Sequence, residues 1–405
     1  MDNQDYESEN EEREIVDNPS DFNDIEETNK KSKHKKILLI SGTILLVLLL
    51  VFSWLAFTKG GHRVIYRIAG GLIHQGLDVE EEIETSTLVI PYEKEPDKQE
   101  KKKEEVKATN NNEPPIEKEE LPPRIKPDPR KEGYVSNYLL FGLEEILNAK
   151  NADTIMIASV NTKDNTIKLT SLLRDTYIEM EGYNPNKINA FFSLGGAKTL
   201  VNVIEDKYRI KIDGYAYLNF ESFEKIIDYL GGIAIELGEK EANYLNTTNY
   251  ISNRSNRTVK AGWNDLNGNQ ALGYCRIRLV ETIGGANDDY GRTLRQRRVI
   301  KAVFNKYKSK GLFDLLRISS NTLGYVKTNI TKQQIEEALE DIIENKISKM
   351  ETMRFPANGA YEAPTKYQGV GYPLVYDWDE NVIQLYQFIY LDTREEAEKN
   401  LEIYR

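Results

Sequence analysis

Between Ile37 and Phe57 the chain carries no charged side chain for about 21 residues, enough helix at 1.5 Å per residue to cross roughly 30 Å of hydrocarbon. No other segment constrains the architecture as much, because a span of this kind puts everything before it on one side of a bilayer and everything after it on the other. Lys30, Lys31, Lys33, Lys35 and Lys36 stand directly before it, so the positive-inside bias places the N-terminus in the cytoplasm. Trp54 suits the far interface. A cleaved leader would have a shorter apolar core and a small-residue cleavage pattern, and its basic region would not follow a long acidic tail. The expectation is a single-pass, uncleaved anchor in the cell membrane with the C-terminal domain outside the cytoplasm.

The flanks divide accordingly. Residues 1–29 hold twelve acidic side chains against one arginine and show no apolar period, which makes residues 1–36 an acidic cytoplasmic tail with a basic flank. Residues 58–133 read as a membrane-proximal segment and stalk. Within them Glu93 to Glu132 alternates Lys with Glu and carries Pro114, Pro115, Pro122, Pro123, Pro127 and Pro129, a composition that resists packing. The net charge of -11 argues against a general nucleic-acid binder. Cys275 is the only cysteine, so no intrachain disulfide can form, and an extracytoplasmic chain so poor in cysteine suits a Gram-positive bacterium.

Residues 134–405 are expected to form the folded domain. Asn137 to Phe141 reads as a buried strand ending at Gly142, and Thr154 to Val160 with Thr166 to Leu173 reads as a hairpin turning at Lys163, Asp164 and Asn165. Helical patterns cover Ala197 to Tyr208, Phe220 to Leu230, Thr293 to Tyr307 and Lys332 to Asn345, with a strand at Ile233 to Leu237 and a stop at Gly231-Gly232. Alternating strands and helices predict an α/β fold, a mixed central sheet between helical layers, preceded by one transmembrane helix and a disordered stalk.

His34, His62 and His74 all precede that domain, which removes histidine-based nucleophilic or acid-base chemistry from it. Cys275 lies in an apolar context without a histidine or cysteine partner and reads as a packed thiol, and Gly195-Gly196 reads as a close backbone approach rather than a phosphate loop. Arginine is what stands out. Tyr274 to Arg278 reads as a strand with Arg276 and Arg278 on one face. After Asp288-Asp289, the following helix places Arg292 and Gln296 on its apolar stripe of Val299, Ile300, Val303, Phe304 and Tyr307. Arg295 falls at the stripe's edge, and Arg297, Arg298 and Lys301 fall on a solvated face.

Any one of these arginines is equally well explained by an ion pair with Asp288 or Asp289. Together, Arg276, Arg278, Arg292 and Arg295 exceed the nearby acids, and a bound polyphosphate is the simplest way to satisfy them. Arg174-Asp175 closes a strand, Lys187 opens the loop before the glycine pair, and Glu144 and Asp153 could hold a hard divalent cation against the phosphates.

From about Asn137 to Phe304 these motifs occur in the order found in the LytR-CpsA-Psr family, which the chain resembles. They comprise the strand to Gly142, Asp153-Thr154, Arg174-Asp175-Thr176, Lys187 to Ala190, Gly231-Gly232, Leu266-Asn-Gly268 with Gln270-Ala271-Leu272, Arg276-Ile277-Arg278, Asp289 to Arg292, and Arg295-Gln296. The resemblance implies a phosphotransferase that moves an anionic glycopolymer, of teichoic acid or capsule type, from a polyprenyl pyrophosphate carrier to peptidoglycan, with a pyrophosphatase side activity. It further implies Mg²⁺, or Mn²⁺, at the pyrophosphate. By motif Arg174, Arg276, Arg278, Arg292 and Gln296 would grip phosphates with Lys187 nearby, and Asp289 would assist the acceptor hydroxyl or orient Arg292. Departures are visible. Glu144 stands where the family has Asp, Asn151-Ala152 replace its Arg before Asp153, and Leu173 replaces its Pro before Arg174. Rival readings are a non-catalytic carrier-lipid or wall-polymer binding protein and a cell-envelope regulator, the latter weakened by an acidic cytoplasmic tail that DNA would repel.

Overall fold

In the computed structural model the described residues are 53–55, 58–80, 126–146, 149–310, 314, 318 and 321–405. The expected span, residues 37–57, lies outside them apart from 53–55, as do the acidic tail and residues 81–125 of the stalk. Among the described residues no helix is long and apolar enough to cross a membrane.

Residues from Tyr66 onward form one compact unit. Helix α1 (Lys59–Gly76) leads to a two-residue strand, β1 (Asp78–Val79). The long strands β2 (Val135–Ile146), β3 (Ala149–Asn161) and β4 (Thr166–Leu172) form an antiparallel meander. The Lys163 to Asn165 turn is as expected, with Asn165 in the left-handed region at φ 58°. β2 and β3 run past Gly142 and ahead of Thr154, further than the apolar pattern indicates, because their ends pair with each other. Helix α2 (Phe191–Tyr208) kinks at Gly195 and Gly196, where a φ of 71° at Gly196 breaks the helix before its regular part begins at Ala197. Strand β5 (Gly214–Asn219) then pairs parallel with β2 and feeds α3 (Phe220–Tyr229), capped by the Asn219 side chain and stopped by Gly231 and Gly232, both at positive φ.

A small ribbon of β6 (Ile233–Leu237) and β7 (Gly262–Leu266) brackets α4 (Glu239–Thr247). Helices α5 (Gly268–Arg276) and α6 (Asp288–Lys308) follow, then β8 (Lys327–Thr328), α7 (Lys332–Glu344), β9 (Lys349–Phe355), α8 (Trp378–Tyr390) and α9 (Arg394–Tyr404). The central sheet has seven strands in the order β1-β8-β5-β2-β3-β4-β9, mixed in direction.

Alternation along the strands gives the sheet two apolar faces. Leu139, Phe141, Ile155, Ile157 and Leu172 pack under α2, α8 and α9. Met156, Leu169 and Met350 on the other face pack with Ile300 and Phe304 of α6 and Ile342 of α7. The mixed sheet between helical layers is therefore as the sequence predicts. A second core joins α3 to α6 with β6 and β7 through residues such as Ile227, Leu245, Tyr274 and Val299.

Two boundaries differ from expectation. The folded unit includes residues 66–80 through α1 and β1, with Tyr66 donating to Glu344 at 2.8 Å. The stalk also gives way to packed chain before Glu132. Arg130 is buried against the rings of Tyr386 and Tyr390 and paired with Asp392 at 2.5 Å.

Candidate functional site

Between the α6-side face of the sheet and the second core lies a pocket of about 630 Å³. Much of its wall is apolar: Leu140, Met156 and Leu218 from strands, Phe220, Phe223 and Ile226 from α3, Leu272 from α5 and Val299 and Ile300 from α6. Glu144, Asp153, Arg276, Arg278, Arg292 and Gln296 line the same pocket. One concave surface thus carries a hydrocarbon-like interior and a dense set of charges.

Local chain geometry explains how the charges meet. The β2–β3 pairing steps from Gly142↔Thr154 to Leu143↔Ala152, which leaves Asp153 as the extra residue of a β-bulge. The bulge turns Asp153 toward Glu144, close enough for the two carboxyl groups to interact. The hydrogen bond to Asp153, then burial, push Glu144 up to about 6. Burial alone would raise Asp153 too, but the Glu144 hydrogen bond and the Arg174 and Arg292 guanidinium groups hold it below its ordinary value. Arg174 Nη1 donates to Asp153 Oδ1 at 2.6 Å and Arg292 Nη1 stands 3.8 Å from Oδ2. Asp289, in the first turn of α6, lies 2.8 Å from Arg292 Nη2 and 4.0 Å from both Arg174 Nε and Arg278 Nε. Lys187 Nζ pairs with Asp175 at 2.8 Å, and Arg276 lies 3.6 Å from Glu144 and over the Phe220 ring.

The structure therefore brings Glu144, Asp153, Arg174, Asp175, Lys187, Arg276, Arg278, Asp289 and Arg292 into one network, with Gln296 in the pocket wall. The cationic excess is smaller than sequence neighbours suggest, because Asp153 and Asp175 are drawn in from distant positions. It still leaves the Nε groups of Arg174 and Arg292 buried without a hydrogen-bond acceptor. Unsatisfied guanidinium N–H groups at the edge of a pocket that Arg276, Arg278 and Arg292 line are a cation set that suits phosphate oxygens. In donor chemistry the carboxyl pair suits a hard divalent ion, since it offers oxygens from two side chains.

Three sequence expectations are corrected. Arg276 closes a helix rather than sitting in a strand. Asn267 caps α5 reciprocally with Gln270, and Ile277 at ψ 135° ends it, so Arg276 and Arg278 share the pocket through a helix terminus and the residues after it. Arg295 is not a ligand group. It is fully buried, with Nε donating to Glu241 at 2.7 Å and its other two nitrogens to the carbonyls of Ile277 and Val280 at 3.1 and 2.7 Å. It braces the segment that carries Arg278. Arg297 is not solvated but 9% exposed, because α6 is enclosed by the sheet on one flank and the second core on another. Cys275 is a pocket-wall thiol that burial pushes up to about 12, as expected of an inert group. The apolar lining was not foreseen; the stripe of Phe220, Phe223 and Ile226 marks an amphipathic helix without saying what it faces.

A mixed α/β sheet thus roofs an apolar pocket edged with arginines and paired carboxylates. The LytR_cpsA_psr family model matches residues 91–380, and the chain belongs to that family. It is 33% identical over 199 residues to the polyisoprenyl-teichoic acid–peptidoglycan teichoic acid transferase TagU of Bacillus licheniformis and 32% identical to the Bacillus subtilis protein of the same name. Each match covers 48% of this chain and 59% of the relative, so the chain spans less than two thirds of either. Protein gbs0355 from Streptococcus agalactiae shares the fold, with a TM-score of 0.50 and 22% identity over 66% of this chain and 88% of that one.

Proposed function

We propose that this chain is a membrane-anchored phosphotransferase that moves an anionic glycopolymer from a polyprenyl pyrophosphate carrier to peptidoglycan. The observation that carries the reading is the union, in one pocket, of an apolar wall with Arg276, Arg278 and Arg292, the last of which has a buried Nε without an acceptor. An isoprenoid tail matches the first and a diphosphate the second. The names of the Bacillus relatives support the same donor and acceptor classes. Ile37 to Phe57 supplies the anchor and the lysines before it the orientation.

In this mechanism Arg174, Arg276, Arg278 and Arg292 hold the carrier's phosphates, with Gln296 and Lys187 beside them. Arg292 is positioned by Asp289 and buried on its other sides, so it meets developing charge without reorganising. Asp289 would take the proton of the attacking hydroxyl as its oxygen bonds to phosphorus and the carrier's phosphate departs. Glu144 and Asp153 would hold Mg²⁺ or Mn²⁺, which when bound stabilises charge on the phosphoryl oxygens. Water in place of the sugar hydroxyl gives the pyrophosphatase side reaction.

The test is transfer of labelled polymer from its lipid carrier to peptidoglycan by the full-length chain in nanodiscs, with and without chelator. Asp153→Ala should abolish transfer while lipid binding persists, and Asp289→Asn should slow turnover more than it weakens binding. Tight lipid binding with no transfer or pyrophosphate cleavage under any divalent metal would instead establish a binding protein.

A further inference from the structure

The flank of α6 that faces β4 and β9 holds a second set of cations that the pocket does not use. Arg297 is nine-tenths buried, and its Nε and Nη1 have no hydrogen-bond partner. Helical spacing puts it on the stripe continued by Ile300 and Phe304, which pack on Met156, Leu169 and Met350, so it points toward the sheet. On that face Ser171 is in register with both Met156 and Arg354, and strand neighbours in register share a face. The Ser171 hydroxyl is likewise buried without a partner. Arg354 lies 4.2 Å from the ring centre of Tyr290, which precedes Arg297 by two helical turns on the same side of α6. Among the described residues no carboxylate pairs with Arg297 or Arg354; the charges that act on Arg297 are Arg354 and Arg298. Burial, then those two cations, lower the Arg297 pKa to about 10.

A buried guanidinium with free N–H groups and only cations for company is among the least favourable arrangements a folded chain can hold. It becomes favourable when an oxyanion completes it, since the arginine fork matches phosphate and carboxylate oxygens. We infer that Arg297, Arg354 and the Ser171 hydroxyl form a second oxyanion site, separate from the pocket and reached past half-buried Arg354 and Tyr290. Tyr290 adjoins Asp289, so the site borders the reacting centre, and neither Arg297, Arg354 nor Ser171 lines the apolar pocket. Its ligand is an oxyanion on a substrate portion that leaves the centre: a phosphodiester of the donor polymer or a carboxylate of the acceptor. That assignment of source rests on the proposed transfer reaction; the existence of the site does not.

The experiment is thermal unfolding of the full-length chain in zwitterionic nanodiscs. In an Arg276→Ala/Arg278→Ala parent, which has lost two of the four arginines assigned to the pocket grip, inorganic phosphate should still raise the melting temperature. Adding Arg297→Met should weaken the apparent phosphate affinity at least about tenfold, the scale of one charge-assisted contact. Without phosphate, Arg297→Met should be as stable as its parent or more so, whereas a structural arginine would leave a destabilised protein. Arg354→Gln, at the half-exposed rim, should reproduce the phosphate effect and carries the test if Arg297→Met does not fold. A phosphate shift absent from the parent, or retained in both variants, overturns the site. Bis(glycerol) phosphodiester and muramyl dipeptide, tried separately, distinguish the donor polymer from the acceptor; a shift with inorganic phosphate but with neither of these overturns the substrate assignment. Binding of polyprenyl pyrophosphate to otherwise native Arg297→Met is measured alongside, so that failure of this site is distinct from failure of the proposed function.

Discussion

Glu241→Ala should be among the most destabilising single changes in this domain, although Glu241 lies outside the pocket and touches no substrate. Its carboxylate is fully buried and has two tasks: Oε1 accepts from Arg295 Nε at 2.7 Å, and Oε2 accepts from the Gly238 N–H at the start of α4 at 2.9 Å. Removing it strands the Arg295 guanidinium without a counter-charge, which costs about 3 to 5 kcal/mol, and the lost cap adds about 1. The sum of about 4 to 6 kcal/mol compares with roughly 5 to 15 for an entire domain. At about 2 to 4 °C per kcal/mol for a domain near this size, melting should fall by roughly 10 to 20 °C. Because Arg295 also donates to the carbonyls of Ile277 and Val280, Arg278 between them should be held less firmly and phosphate binding should weaken as well. Glu241→Leu combined with Arg295→Met should be more stable than either single change, since an apolar pair leaves no stranded charge. The assay is urea and thermal denaturation of the native chain, Glu241→Ala, Glu241→Leu, Arg295→Met and the double variant, with carrier-lipid binding measured in parallel. A cost below about 1 kcal/mol for Glu241→Ala, or a double variant no better than the singles, would refute the bracing role of Arg295.

The pocket and the anchor supply three more expectations. Arg276→Ala or Arg278→Ala should weaken polyprenyl pyrophosphate binding by about 1.5 to 3 kcal/mol in calorimetry with little change in melting, and unchanged affinity would make both arginines structural. Glu144, raised to about 6, favours folding most when protonated, so this contribution is complete below about 4.5 and lost as pH rises through 6. Glu144→Gln keeps a hydrogen-bond donor for Asp153, so it should match the native chain in denaturation at pH 4 and exceed it at pH 8, by less than about 2 kcal/mol once solvent screening is discounted. For topology, protease added to intact protoplasts should remove the folded domain, and protection there would contradict the outward orientation.

The sheet was legible because β2 to β4 alternate between two apolar faces, a local and repetitive signal that needs no knowledge of distant partners. The arginine-rich stretch from Gly291 to Arg298 was legible only as an inventory of charge. At 100° per residue one helix turns Arg292 into the pocket, Arg295 into the second core, Arg297 onto the sheet and Arg298 toward the carbonyl of Ile283, and each direction gives the same side chain a different task. Which task follows depends on partners that sequence distance conceals: Glu241 lies 54 positions before Arg295, and Asp153 reaches Arg174 from 21 positions away only because a bulge displaces it. Tyr274 to Arg278 misled in the opposite way, its alternation suggesting a strand while the decisive signal, the Asn267–Gln270 capping pair, lay a turn and more upstream. A charge motif in such a chain therefore identifies the chemistry available, and burial then sorts it. An arginine whose N–H groups are all answered inside the fold, as Arg295's are, becomes a brace, and those that keep a buried, unanswered N–H, Arg174 and Arg292 despite their carboxylate partners and Arg297 without one, are where an anion from outside completes the structure.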